Sequence, residues 1–515
     1  MGGGAGRDKA AVHRGVRLGD AAAMNLLHDA WIPVTEAGCF RHITLQEVLC
    51  ADADWELALP RDDMELAALQ LLVSLTQVLF PTADQAALRA RLNAPLSEAE
   101  FQTAAGRFRE WFDLDHPRTP FMQIRGVSAK DVTPIQKLFI GLPEGNNHAF
   151  FNAEGEINAV CGGCVAIALF NQASNSPSFG GRFKGSLRGA APITTLIDAR
   201  RLRQRIWENV LPLTELDRLL PGYDSSAGDL PVWVDPIPAG KTIVAGSIGL
   251  LRGLFWQPAH VELLPSGGGR CDHCGGEADR LYAGFRKERF AYQLEGVWPH
   301  PHSPRQWEEK NGQRSVRFAS FTSLAPAWTQ LSQFLFEREE EKQGYAPAPV
   351  ISSRRMRRSG GRLQLLIGGY RNNQASVIER RHELFSFAPG WEDAEDQLGD
   401  IVDLGLRVKE VLYGSLSLVV KGKKGTFKGI GVDLHKDAER AYYRRSEPLI
   451  HEALQEMDYD GFQSFRARTV EKLSTLAREI YAEAIEPYAH DPKFIGAIAA
   501  GKLKLHTGLR KLRGE

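Results

Sequence analysis

Two CxxC pairs, Cys161 with Cys164 in "CGGCVAIALFNQ" and Cys271 with Cys274 in "RCDHCGGEAD", constrain this chain more than any other feature. Four thiolates satisfy a tetrahedral zinc ion and close its coordination sphere, so such a site is structural rather than catalytic. If both pairs serve one ion, the fold must join two points more than 100 residues apart. That gap is much longer than in a compact zinc ribbon. Free thiols, or a redox role for the first pair, stand as the alternatives. His273 lies inside the second pair and is the residue there able to replace a cysteine. Cys39 and Cys50 fall in an early strand region and are expected as buried thiols.

At 515 residues the chain exceeds what one core supports, and two or more domains are expected. Lys plus Arg and Asp plus Glu are 63 each, which gives a formal net charge of zero. A protein that binds nucleic acid tightly by itself is usually basic. Binding here would use local patches, or a place in a larger assembly. Six cysteines without an apolar signal segment point to a reducing compartment, the cytoplasm. No apolar run of about 18 residues marks a membrane span. Residues 1–23, dominated by Gly and Ala, read as a disordered extension.

Local patterning divides the rest. Residues 24–60 read as strands and turns. "LPRDDMELAALQLLVSLTQVLFP" (59–81) predicts a helix that is apolar on every side and therefore buried. Asp62 is the expected N-cap, Glu65 the capping-box partner and Pro81 the stop. A second helix is expected at about 97–112, capped near Ser97, and a loop-rich stretch over 113–160. Residues 230–330 predict short strands. "YAPAPVISSRRMRRSGGR" (345–362) reads as a basic loop. After about residue 390 proline nearly disappears, and helical periodicity runs over roughly 391–418, 433–457, 461–486 and 491–512. Four such segments with short links predict an antiparallel four-helix bundle. The domains expected are therefore 24–385, mixed α/β, and 386–515, helical; the fold class is α+β.

Several stretches bear on function. "SFGGRFKGSLRG" interleaves Gly180, Gly181, Gly185 and Gly189 with Arg182, Lys184 and Arg188. Glycines let a backbone approach a phosphate or groove closely, but the spacing matches no nucleotide-binding pattern. "GFRKERF" (284–290) sets basic residues between aromatics. "WPHPHSP" supplies His300 and His302, best read as a structural Pro-rich turn. "GGYRNNQASVIERR" (368–381) puts Asn372, Asn373 and Gln374 at an exposed turn. Side-chain amides are poor acid–base groups but hydrogen-bond well to base edges. Lys421, Lys423, Lys424 and Lys428 crowd one link between helices and suit backbone phosphates. No GxSxG, HExxH or P-loop is present, and no catalytic constellation emerges.

In this order, "NLLHDAWIPV", "LPRDDMELAALQLLV", "DVTPIQKL", "CGGCVAIALFNQ", "GLFWQPAHVEL", "WPHPHSP", "GGYRNNQASVIERRHELF" and "PYAHDPK" resemble the CasA family. That family is the large subunit of Cascade, the type I-E CRISPR surveillance complex. The resemblance covers nearly the whole chain from Met24. It implies a mixed α/β N-terminal domain, a C-terminal four-helix bundle and no catalytic activity. It implies recognition of the protospacer-adjacent motif (PAM) in double-stranded DNA and help in opening the duplex for the guide RNA. Its implied partners are the other Cascade subunits, the crRNA, PAM-bearing DNA and a helicase–nuclease that docks on it. Carried onto this chain, the resemblance assigns DNA or guide contacts to Phe150 and Asn152 in "NNHAFFNAEGEINAV". It assigns the minor-groove loop to Phe179, Gly180 and Gly181, the wedge to Asn373, Gln374 and Ala375, and zinc to the four cysteines. Ser178 and Arg182 stand where the family pattern has glycine, and Arg289 where it has a groove-reading lysine.

Two other readings fit parts of the sequence. One is a zinc-dependent nuclease with an open site of His273, His300 and His302. The other is a scaffold that never touches DNA.

Overall fold

A computed structural model describes residues 24–141, 155–221 and 229–514. The extension 1–23, and Phe150 with Asn152, lie outside the described residues.

The helix Asp62–Leu79 runs through the middle of the N-terminal part and is buried along nearly its whole length. It packs on the helix Gly162–Ser174, itself buried at every position. Helices this apolar need partners on all sides. The few polar groups are satisfied internally: Ser74 donates to the Gln70 carbonyl at 2.8 Å, and Gln77 exchanges bonds with the Leu211 backbone at 2.7 and 3.0 Å. The expected capping box does not form. Arg61 holds the N-cap position and makes no side-chain cap bond, while Asp62 accepts from the adjacent Asp63 amide at 2.7 Å. Asp62 is the first helical residue, and Asp62 and Asp63 pair with Arg380 and Arg61 instead. The stop before Pro81 is as expected.

Two sheets frame the site. One strand, Leu281–Glu288, pairs antiparallel with His260–Ser266, with Thr133–Pro134 and with Val160–Cys161. The other sheet is the long hairpin Leu363–Asn373 and Ser376–Phe387, flanked by Thr194–Asp198. The sequence reading missed several short helices, among them Leu202–Glu208, Leu213–Leu219, Leu331–Leu335 and, inside the stretch expected as short strands, Leu250–Leu254; three more are informative. Leu45–Cys50 is too short for periodicity to announce, although Thr44 and Glu47 cap it as a box. Gln85–Asn93 is capped by Asp84. Pro349–Arg357 forms where a basic loop was expected. Its Arg354 and Arg357 are buried against Glu208 and Glu392, which are distant in sequence. Cys39 is exposed and Cys50 half-buried, so neither is the buried thiol expected.

The C-terminal part has four long helices, Glu395–Lys421, Leu434–Gln455, Phe462–Ile485 and Ile495–Gly514. The first packs on each of the other three. The strand of the long hairpin runs to Phe387, and the Ala388 amide then donates to the Leu454 carbonyl at 3.0 Å. Phe385 stacks on His451 at 4.4 Å. The buried apolar side chains of both parts form one continuous cluster. Among the described residues no helix is long and apolar enough to cross a membrane.

Candidate nucleic-acid interface and metal centre

The metal centre starts from two local structures. Cys161 ends a strand and precedes the helix Gly162–Ser174, whose first turn carries Cys164. Cys271 and Cys274 sit in a tight knuckle between the short paired strands Gly269–Arg270 and Glu277–Ala278. The Cys271 amide donates to the Gly276 carbonyl at 2.8 Å, and the Gly275 amide to the Cys271 carbonyl at 2.9 Å. Asp272 ties the knuckle down by accepting from the Asn158 and Ala159 amides at 2.8 and 3.0 Å. Leu281 pairs with Cys161 across the sheet. The four sulfurs lie within 4.8 Å of one another, and those of Cys161 and Cys274 are 3.8 Å apart. A tetrahedron with metal–sulfur bonds of about 2.3 Å has edges of about 3.8 Å. The donor set therefore fits a closed tetrathiolate site, and the four cysteines can hold a metal.

The candidate nucleic-acid interface is assembled by the two sheets. After the helix Gly162–Ser174 the chain turns through Ser178, Gly180, Gly181 and Arg182 at φ of 129°, 78°, 54° and 71°. Such angles suit glycine, and two non-glycine residues adopt them here at a cost in backbone strain. Phe179 anchors the loop, with its ring 5.8 Å from Phe285 and 5.5 Å from Phe183. Lys287 lies over the same ring at 5.3 Å. Arg289, just past the end of the strand Leu281–Glu288, donates to the Gly181 carbonyl at 3.2 Å. The hairpin tip arrives from the other side. A methyl group added at Gly180 would lie 3.3 Å from the Ala375 Cβ. Three segments far apart in sequence thus meet at one surface.

The hairpin that presents the tip is braced. Asn373 pairs with Ser376, leaving Gln374 and Ala375 as a two-residue turn, with Gln374 at φ 54°. The pairing shifts by one residue between Arg371 and Asn372. A bulge there increases local twist and re-aims the tip. Arg371 and Arg381 clamp Glu379 at 2.7 and 3.0 Å. Below them the Tyr370 hydroxyl donates to Asp63 at 2.9 Å and accepts from Asn171 at 3.0 Å. Asp63 accepts from two Arg61 nitrogens, Nη2 at 2.7 Å and Nε at 3.0 Å, and Arg61 also donates to the Ile140 carbonyl. Arg61 holds the Asp63 carboxyl below its usual range against the opposing effect of burial. Sequence reasoning assigned these acids to capping and missed the network.

Arg188 was grouped with the surface charges of the glycine-rich loop, and the structure corrects that. It is buried and donates to Ser303, Thr194, Asn175 and the Ser174 carbonyl. Burial lowers its guanidinium to about 9. Arg188 pins the root of the loop to the "WPHPHSP" turn.

His300 and His302 are buried there, and the His302 amide donates to His300 Nδ1 at 3.0 Å. Burial and the nearby Arg188 charge lower His302 to about 3 and His300 well below its usual value. Among the described residues the cysteines form the one group able to hold a metal; the three histidines do not come together as one. The lysines expected at a loop lie on and around a small hairpin, Gly422–Lys423 with Phe427–Lys428. Lys421 closes the preceding helix, and Lys424 sits in the hairpin turn.

Known proteins share this fold. The model of the family described as CRISPR-associated protein Cse1 matches residues 25–486. The CRISPR-associated protein CasA/Cse1 of Thermus thermophilus is 25% identical over 504 residues, covering 93% of this chain and 94% of that protein. The crystal structure of Thermobifida fusca Cse1 superposes with a TM-score of 0.75 at 17% identity, covering 96% of this chain and 98% of that one. A chain of a CRISPR RNA-guided surveillance complex superposes with a TM-score of 0.64 at 16% identity, covering 94% and 99%.

Proposed function

The chain belongs to the CRISPR-associated protein Cse1 family, and on that premise we propose that it is a non-catalytic subunit of a Cascade-type surveillance complex. Its task in that complex is to read the PAM in double-stranded DNA, help open the duplex beside it, and recruit the helicase–nuclease. Its partners are the other subunits and the crRNA. The observation that carries the reading is the meeting of Gly180 and Gly181, Arg289 and the Asn373–Ala375 tip at one surface.

The chemistry suits loose reading of the minor groove. That groove offers a degenerate set of acceptors and one guanine donor. A glycine loop brings backbone close, a cation supplies donors, and amides at a rigid tip can enter a weakened base step. Sequence discrimination is then left to RNA pairing, a division known from another class of CRISPR effector. Structural zinc on Cys161, Cys164, Cys271 and Cys274 fixes the knuckle beside the strand Leu281–Glu288, which ends one residue before Arg289. The four C-terminal helices act as a four-helix bundle, with Lys421, Lys423, Lys424 and Lys428 on DNA backbone.

Arg289→Ala in the assembled complex should reduce the preference for PAM-bearing over PAM-free DNA about tenfold, the scale of one lost groove contact. Arg289→Lys should keep most of the preference while shifting which PAM sequences are tolerated, because an ammonium lacks the planar fork. Competition binding with a PAM library measures both. Equal discrimination in Arg289→Ala would refute the groove assignment.

Changing the four lysines to glutamate should weaken DNA binding evenly across PAM sequences. It should also flatten the salt dependence, since each phosphate contact contributes about 0.9 to the slope of log K against log salt. Titrations at several salt concentrations test this. A loss confined to certain PAMs would instead make the link part of the reading site.

A further inference from the structure

The metal knuckle carries two imidazoles that the four-cysteine reading leaves unused. His42, on the strand Cys39–Ile43, brings Nε2 to 3.6 Å from the Cys274 sulfur. His273 brings Nδ1 to 3.4 Å from the Cys164 sulfur. The two rings come from segments far apart in sequence and address different sulfurs. Each is placed by its surroundings. Phe40 meets the His42 ring edge-on at 5.2 Å, and a methyl group at Gly276 would lie 2.6 Å from His42 Cε1. The absence of a side chain at Gly276 is what admits the ring. His273 is buried, packs on Phe139 at 5.0 Å, and its Nε2 has no partner among the described residues. A neutral imidazole has one N–H. With Nε2 unpartnered and Nδ1 against sulfur, the tautomer that makes a bond carries its proton on Nδ1.

Resting on the four-thiolate reading, we infer that His42 and His273 are outer-shell positioning residues, each donating an N–H to a metal-bound thiolate. Four thiolates around a divalent ion leave a net charge of −2. Two N–H donors disperse that charge and hold Cys274 and Cys164 in their coordinating rotamers. Neither imidazole replaces a cysteine, because both rings stand outside the sulfur cluster. The pairing also ties the N-terminal strand Cys39–Ile43 to a knuckle more than 200 residues later in the sequence. Groups of this kind are worth tens-fold in metal retention.

The test uses the full chain loaded with zinc, or with cobalt as a spectroscopic substitute. His42→Phe and His273→Phe keep a ring and remove the N–H. Each should still hold one metal per chain but release zinc to a chromogenic chelator about tenfold faster or more. The thiolate-to-cobalt charge-transfer band should shift in both, since a lost N–H donor changes the electron density on sulfur. His42→Gln, which retains an amide donor, should recover slow release and the parent band. Release and spectra identical to the parent in both phenylalanine variants would overturn the inference. So would faster release with an unmoved band, which would assign the rings to packing alone. A parent chain that holds neither zinc nor cobalt overturns the four-thiolate reading and this inference together.

Discussion

Replacing Asp63 by alanine should lower the unfolding free energy of the full chain by roughly 3–5 kcal/mol, the usual cost of leaving one member of a buried ion pair alone. The Asp63 and Arg61 side chains are only 4% and 10% exposed, so water does not replace the lost carboxylate. The Arg61 guanidinium would keep one acceptor, the Ile140 carbonyl, and the Tyr370 hydroxyl would lose its own. Urea unfolding followed by tryptophan fluorescence measures the change. A loss below about 1 kcal/mol would show that the pair behaves like a surface salt bridge. The double variant Arg61→Leu with Asp63→Leu should recover part of the loss, because apolar groups can replace a buried pair. Recovery will be incomplete, since Ile140 and Tyr370 still lose partners. The pH dependence has a definite sign. The folded-state pKa of Asp63 is depressed, and the unfolded value is about 3.9. The pair's contribution is therefore full above that value and fades as the pH falls through the folded pKa. Asp63→Ala should lack that acid-dependent component.

The same residue shows what sequence can and cannot carry. The helix Asp62–Leu79 was legible because apolar residues on every side are a local property. The role of Asp63 was not: its ion-pair partner Arg61 is two residues away, but Tyr370, which completes the buried network, lies 307 residues away. Adjacent acids before an apolar run look like caps, and only the long-range contact turns one of them into a buried anchor. Arg354 and Arg357 misled in the same way. Arginines beside Ser and Gly read as a solvated loop until Glu208 and Glu392 arrive to neutralise them. Arg188 read as surface charge because its acceptors are neutral hydroxyls, amides and a carbonyl, which leave no charge pattern in the sequence.

The cysteine cluster was more legible, because part of its signal is local. Each CxxC is a local geometry visible in the sequence, but the long gap left open whether the two pairs meet, and the structure brings the four sulfurs together. The histidines facing the sulfurs have no such spacing rule, although Gly276, shortly after Cys274, hints at a close approach. At the candidate nucleic-acid surface the resemblance named the pieces, while the sheets explain why they meet. Pairing along Leu281–Glu288 sets where Arg289 emerges, and the pairing of the long hairpin sets how far Ala375 reaches. Neither register can be read from one sequence.

At the tip itself, Asn373→Ala combined with Gln374→Gly should slow PAM-dependent R-loop formation about tenfold or more in the assembled complex. Opening a duplex beside the PAM costs a few kcal/mol for each unstacked step. Later exchange of DNA pairs for RNA–DNA pairs is nearly balanced. The barrier is therefore concentrated at the first step, and a side chain that contributes about 1.4 kcal/mol there changes the rate tenfold. Glycine is the informative choice at residue 374. Gln374 sits at φ 54°, where alanine would keep the strain of a left-handed backbone and glycine relieves it. The hairpin should therefore be as stable as before, or slightly more so, with only the amide removed. Asn372 donates to the Gln374 carbonyl, a bond that glycine retains. Fluorescence reporting of strand separation, with PAM-bearing and pre-opened duplexes side by side, separates the steps. The variant should be slow on the closed duplex and normal on the pre-opened one, where no wedge is needed. Equal rates on both for variant and parent would mean that the amides stand beside the DNA without entering it. Slowing on both would place the defect in PAM binding, and so in Arg289 and the glycine loop that the Ala375 methyl group approaches.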